Sequence, residues 1–336
     1  MNRKKGAIAA AILALVFLTG FIVREIGLNK KKIQEYDSTG FVMDTVLQQT
    51  IYSNGDDPSG EILDILKDLE NRCISWTDPA SEMAGLNAGA GKEMQVSGEL
   101  YEILQNTVEL SAASDGALDP TMGEVIRLWD FGGGNPHVPD PAILDQMLEK
   151  VDYRKVRLEN NEVFLSEGVT LDLGAVGKGA GCDKIADYLE NHPEITGCLM
   201  NLGSSSIMTW GTKPDGSPWK IGIRDPGAED PSEYLGIVEL DGTNYLSTSG
   251  SYEKYFVEDG VKYHHILDPK TGCPADSGLA SVTVVARDGL LSDGLSTACF
   301  VLGLEKGRKL LQSYDAAGIF ITTEREIITE GAIHFQ

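Results

Sequence analysis

The twenty residues Leu171 to Glu190, LDLGAVGKGAGCDKIADYLE, constrain this chain most, because a short apolar run, a glycine-rich turn and a helix must follow one another within that length. Thr170, Leu171 and Leu173 alternate as strand positions, and Ile185, Tyr188 and Leu189 recur at helical spacing. Between them Gly174, Gly177, Gly179 and Gly181 lack a Cβ, which lets the backbone come close to a ligand. A helix starting near Lys178 directs free N–H groups and the positive end of its dipole at the turn, which suits a phosphate. Lys178 adds a cation, and Asp172 an acceptor or a metal-facing carboxylate. The glycine spacing is not the G-x-G-x-x-G of a dinucleotide fold, nor a Walker loop, in which Ser or Thr follows Gly-Lys. A tight strand-to-helix connection that binds nothing fits these residues equally well.

The elements around this unit set the fold class. Glu61 to Arg72 is amphipathic, with Ile62, Ile65, Leu66 and Leu69 on one stripe. Further helices are expected over Glu99 to Ser114, through Val125, Ile126 and Trp129, and over Ala142 to Lys150. A linker from Gln34 leads into one strand in FVMDTVLQQTIY, and VRLENNEVFLS is a hairpin with Asn160-Asn161 at its tip. After Glu190 strands dominate, at 197–202, 207–211, 219–224, 235–240 and 245–248, followed by a hairpin turning at Asp259-Gly260 and the buried strand SVTVVA. SDGLSTACFVLG then opens a helix with Ser292 as its N-cap. Strands and helices alternate too irregularly for a barrel or a doubly wound sheet, so the expectation is an α+β fold, a largely antiparallel sheet core with surrounding helices.

With 336 residues, 42% of them apolar, the chain has ample material for a core. A net charge of −23 argues against a duplex nucleic-acid surface, and an anionic substrate would need local help such as a divalent cation. The five cysteines show neither C-x-x-C spacing nor an even count, so no zinc site or disulfide framework is implied. Residues 6–23 are uncharged and mostly apolar and follow Arg3, Lys4 and Lys5; no A-x-A site or terminal cysteine follows them. Eighteen residues lie at the short end of the ~17–25 that cross a bilayer. A retained single-pass anchor over 1–33 and a catalytic domain over 34–336 are expected, with the domain outside the cytoplasmic membrane by the positive-inside rule.

Eight ordered blocks resemble the FAD:protein FMN transferase (ApbE) family: Met43-Asp44-Thr45, SWTDPASEMAGLN, DGALDPTMGEVIRLWDFG, DLGAVGKGAGCD, NLGSSS, STSGSYEKYF, HHILDPKTGCP and SDGLSTACFVLG. They cover most of residues 41–305. The resemblance implies a membrane-anchored, extracytoplasmic enzyme that splits FAD and attaches FMN through a phosphoester to a Thr or Ser of a partner protein. It implies that Met43, Trp76, the Ala117-Leu118-Asp119 turn, Asp172, Lys178 and Leu267 line the FAD site. The metal, Mg²⁺, would be held by the Ala175 carbonyl with Asp293 and Thr297. Two positions depart from the family pattern: Asp44 replaces a glycine, and Ser296 stands where some relatives have an acid.

The residues themselves fit that chemistry. FAD carries a pyrophosphate, and a hard cation with oxygen ligands is the expected way to hold and polarise it in an acidic protein. Asp293 and Thr297, four apart, share one face of what the sequence places as a first helical turn. An acid there contributes only about 0.3–1 kcal/mol to stability, so its removal should spare the fold. His264 and His265 are the only adjacent histidines, and phosphoryl transfer to a hydroxyl gains from a base with a pKa near 6.5; His265 is preferred. The alternatives are a non-catalytic extracytoplasmic flavin-binding protein and an envelope scaffold in which the glycine turns are structural. Release of AMP separates the enzyme from both. The acceptor is expected to present its Thr or Ser in a loop of small residues.

Overall fold

The computed structural model describes residues 32–336 apart from 229 and 231. Strands β1 (Gln34–Val42) and β2 (Thr45–Ser53) pair antiparallel around a two-residue turn, so the expected linker and single strand are in fact a hairpin. Met43 and Asp44 both take positive φ, 54° and 53°, as a primed hairpin turn demands. Glycine is the usual choice there, and aspartate is among the side chains that tolerate the left-handed region best. Helix α1 (Ser59–Asp68) buries Ile62 and Leu66 and runs straight into a π-helical turn, Leu69–Ile74. Helix α2 (Glu82–Ala88) starts at Ser81, whose Oγ accepts the Ala84 N–H at 3.0 Å. Strand β3 (Glu93–Gln95) precedes helices α3 (Gly98–Ala113), α4 (Gly123–Trp129) and α5 (Pro141–Leu148). Strands β4 (Val156–Glu159) and β5 (Glu162–Leu165) turn at Asn160-Asn161, both left-handed, as the sequence anticipates.

Helix α6 (Gly177–Glu190) is followed by β6 (Ile195–Leu202), β7 (Ser206–Gly211), β8 (Trp219–Arg224), β9 (Tyr234–Leu240) and β10 (Asn244–Gly250). Then come the hairpin β11 (Tyr255–Glu258) and β12 (Val261–His264), strand β13 (Leu279–Ala286), helices α7 (Gly289–Leu302) and α8 (Leu304–Ser313), and strands β14 (Ala317–Thr322), β15 (Ile327–Glu330) and β16 (His334–Phe335). The main sheet has eight strands in the order β1-β2-β6-β7-β10-β13-β14-β15, every pair antiparallel. The small sheet β16-β9-β8 forms a second layer: Ile221, Ile223 and Val238 pack with Ile207, Leu246 and Ile319 of the main sheet. The helices supply two further clusters. One joins Leu47 and Ile51 to Ile62, Leu66, Ile185 and Leu189, and the other joins Val282 and Val284 to Leu291, Leu295 and Phe300. Each such side chain contributes roughly 1.5–3 kcal/mol by leaving water. The expected α+β class, a helix-wrapped antiparallel sheet, is what forms.

Two local expectations fail for identifiable reasons. Residues 171–173 are not a strand; Thr170 alone bridges, parallel, to Met122. The Asn87 carboxamide replaces the missing ladder, accepting the Leu171 N–H at 2.8 Å and donating to its carbonyl at 3.0 Å. Helix α7 begins before Ser292, because Asp288 is the N-cap and its Oδ1 accepts the Leu291 N–H at 2.8 Å. The apolar run expected to anchor the chain lies outside the described residues. Among those described, no helix is long and apolar enough to cross a membrane.

Candidate functional site

The site is built on the crossing of α6 and α7, where two glycine backbones touch. A Cβ on Gly179 would stand 2.1 Å from the Gly289 carbonyl oxygen, and one on Gly289 would stand 2.2 Å from that of Gly179. Gly181 is likewise filled by neighbours, with Leu66 and the Met43 side chain at 2.9 and 3.2 Å from its missing Cβ. These glycines therefore serve helix packing, which corrects the expectation that they open the backbone to a ligand. Close approach brings Asp293, the fifth residue of α7 and not one of its first turn, against the N-terminus of α6. Its Oδ2 accepts the Gly179 N–H at 2.9 Å, its Oδ1 accepts the Ser206 hydroxyl at 3.1 Å, and the Lys178 N–H also donates to it. The positive end of the α6 dipole is thus directed at a carboxylate of the chain, not left open for a phosphate.

Asp293 is 6% exposed, and burial pushes its carboxyl up from the usual range, while the charge of Lys178 and the three donors pull it back. A buried carboxylate with only neutral donors in contact is a natural ligand for a divalent cation, and its oxygens have about four lone-pair sites, of which three are used. Thr297 lies one turn further on, and Ala175 stands half-buried in the turn before α6. Among the described residues no group of three or more His, Cys, Asp or Glu side chains could hold a metal. Ser296 is fully buried and turned into the seam between α7 and β10, where it meets Ser249 at 2.9 Å.

The residues expected around FAD surround this centre. The Met43 N–H is held by Glu70 Oε2 at 2.9 Å, and its side chain packs between both helical clusters. Trp76 is half-buried, with the Arg127 guanidinium 4.6 Å from its ring centroid and Glu124 holding Arg127 at 2.8 Å. Asp172 accepts the Gly174 N–H at 2.8 Å; burial raises its carboxyl, and the charges of Lys178 and Arg127 oppose this. Ala117 and Leu118 are buried, and both oxygens of Asp119 are occupied: Oδ1 by the Thr121 N–H and hydroxyl at 2.8 and 2.6 Å, Oδ2 by the Tyr153 N–H at 2.8 Å. Like Asp293, Asp119 keeps about one of its four lone-pair sites for a ligand, while the buried Ala117 and Leu118 offer backbone. Backbone is also what Leu267 offers, its side chain being buried with Met122, Trp129 and Leu144.

The two histidines divide cleanly. His264 spends both ring nitrogens, Nε2 on the Ala275 carbonyl at 3.2 Å and Nδ1 on the Ile266 N–H at 3.3 Å, and meets Phe300 edge-on. His265 places Nδ1 3.2 Å from the Lys254 carbonyl, which fixes the proton on Nδ1 and leaves Nε2 as a base. Burial, then the charge of Lys178, push this imidazole down to about 4, well below the value expected from sequence. Lys178 is the common neighbour, since its charge is felt at Asp172, Asp293 and His265 alike. Glu70, Arg127, Ser206 and Ser249 also belong to the site and escaped the sequence reading. The last three lie in the quoted blocks, where a serine or arginine carries no spacing signal of its own.

A family model described as the ApbE family matches residues 43–320. An FAD:protein FMN transferase of Treponema pallidum is 32% identical over 329 residues, spanning 91% of this chain and 89% of that protein. One from Klebsiella pneumoniae is 33% identical over 298 residues, spanning 87% and 91%. Among solved structures, the ApbE protein of Thermotoga maritima matches with a TM-score of 0.81 at 31% identity, over 88% of this chain and 97% of that one. The flavin transferase ApbE of Vibrio cholerae matches at 0.79 and 27%, over 89% and 97%.

Proposed function

This chain belongs to the ApbE family of FAD:protein FMN transferases, and from that premise we propose that it moves FMN from FAD to a Thr or Ser hydroxyl of a partner protein, with Mg²⁺ and release of AMP. The observation that supports the site is Lys178, the cation whose charge acts on Asp172, Asp293 and His265 alike and would offset that of a pyrophosphate held among them. Met43, Trp76, the backbone of 117–119, Asp172 and Leu267 would enclose FAD. Asp293, Thr297 and the Ala175 carbonyl would hold Mg²⁺, which when bound supplies charge neutralisation at the phosphate oxygens.

His265 Nε2 takes the proton from the acceptor hydroxyl as its oxygen bonds to the FMN-side phosphorus. The bond from that phosphorus to the AMP oxygen breaks in line on the opposite side. The Lys254 carbonyl keeps the Nδ1 proton in place throughout, so the base stays in one tautomer. Lys178 offsets the charge of the leaving phosphate. No side chain nucleophile is needed, and transfer is direct. The apolar run of 6–23 supports a single-pass anchor with this domain outside the cytoplasmic membrane. Incubation with FAD, Mg²⁺ and a soluble domain presenting a Thr in a loop of small residues, followed by mass spectrometry, tests the reading: FMN on the acceptor and free AMP are expected. Intact FAD held without AMP release would instead make the protein a flavin-binding module.

A further inference from the structure

The hydroxyls between α7 and β10 form a chain whose proton directions can be counted. Ser296 Oγ donates its single proton to the Asp293 carbonyl oxygen at 2.8 Å. At 2.9 Å from Ser249 Oγ it can then only accept, so Ser249 spends its own proton on Ser296. Ser249 also lies 3.1 Å from Thr297 Oγ1, and having no proton left it must accept from Thr297. The Thr297 proton is thereby drawn into the seam, and both lone pairs of Oγ1 are free to face outward. We propose that Ser249 and Ser296 are positioning residues for the cation, setting Thr297 Oγ1 as an acceptor toward it. This rests on the metal reading given above.

The relay needs both serines. Without Ser296 the Ser249 proton can turn onto Thr297, whose own proton then faces the cation. Without Ser249 the Thr297 proton has no acceptor in the seam. Residues that orient a metal ligand typically change metal affinity by about 10–100-fold when removed.

The test titrates Mg²⁺ into the full chain saturated with FAD and reads the rise in unfolding temperature, which needs no turnover. Ser249→Ala and Ser296→Ala should each shift the Mg²⁺ midpoint upward at least tenfold, and Ser249→Thr, which keeps a hydroxyl, should stay within twofold of the parent. FAD affinity without Mg²⁺ should be unchanged in all three, which a merely structural loss would not allow. The proposal is overturned if Ser249→Ala and Ser296→Ala keep the parent midpoint while Thr297→Val loses the response. If Thr297→Val responds normally, the residue is no ligand, and the metal reading falls together with the relay.

Discussion

Replacing Gly179 by alanine separates two uses of a glycine that look alike in the sequence. If the missing Cβ makes room for a ligand, alanine should stabilise the free protein by about 0.5–1 kcal/mol through helix propensity and weaken FAD binding. The structure requires the reverse. The added Cβ would stand 2.1 Å from the Gly289 carbonyl oxygen and 2.7 Å from Asp293 Cβ, and the first of these is rigid backbone. Restoring ordinary contact parts α6 from α7 by about 1.3 Å, and overpacking of this kind costs about 1–3 kcal/mol. With the propensity gain deducted, a net loss of about 1 kcal/mol is expected, or a fall of roughly 2 °C in midpoint. The same movement stretches the 2.9 Å bond from Gly179 to Asp293 to about 4 Å, beyond hydrogen-bonding range. A displacement of about 1 Å at a site can slow a reaction ~10²-fold. Calorimetry of the free protein and transfer rates at several Mg²⁺ concentrations read the two effects. Gly85, with nothing within 4 Å of its missing Cβ, is the internal control, and its alanine variant should be slightly stabilised. A Gly179→Ala protein as stable as its parent, with weakened FAD binding, would refute the helix-crossing argument.

His265→Ala should slow transfer by about 10²–10⁴-fold with FAD affinity unchanged. Its folded pKa of about 4 lies below the unfolded 6.5, so the fold favours the neutral ring; that stability is present above 6.5 and lost as pH falls toward 4. In kcat/KM the acid limb should therefore lie near pH 4, and in kcat somewhat higher, once bound FAD offsets the Lys178 charge; a limb near 6.5 in both profiles would count against this environment. Asp293→Asn should abolish transfer and the Mg²⁺-dependent rise in midpoint. Asp293→Ala should in addition lose about 1–3 kcal/mol, because it orphans the Gly179 N–H and the Ser206 hydroxyl; chemical denaturation distinguishes this from the smaller loss expected of a first-turn acid. Protein lacking residues 1–33 should be soluble and fully active. Recovery of the whole chain in the soluble fraction with its N-terminus removed would contradict a retained anchor.

What the sequence made legible was local. The stripe of Ile62 and Leu66, the Asn160-Asn161 and Asp259-Gly260 turns, and the period of the late strands each depend on neighbours in the chain, and all formed as read. What stayed hidden depends on partners far away. Gly179 looks like a phosphate-loop glycine until Gly289 is seen against it, and no chain neighbour of Asp119 announces that the Tyr153 N–H reaches its Oδ2. Ser292 fits an N-cap as well as Asp288 does in the sequence, but Asp288 accepts the Leu291 N–H, and Ser292, inside the helix, turns its Oγ to Ser247 at 2.7 Å. The two histidines differ through the carbonyl groups at 254 and 275, which no side-chain pattern encodes.

The hairpin that leads into His265 is clamped by aromatic rings: Phe256 and Tyr263 lie 6.2 and 5.6 Å from Trp129, and Phe131 lies 5.5 Å from Phe256. Trp129 Nε1 also donates to the Gly272 carbonyl at 2.7 Å, across 143 residues of chain. Closing so long a loop is already near the flat part of its entropic cost, which grows by only about 0.6 kcal/mol for each doubling of length. Insertions in the surface connections between Trp129 and Gly272 should therefore leave the base where it is. The part of the molecule that varies in length and the part that places the imidazole are free to evolve apart.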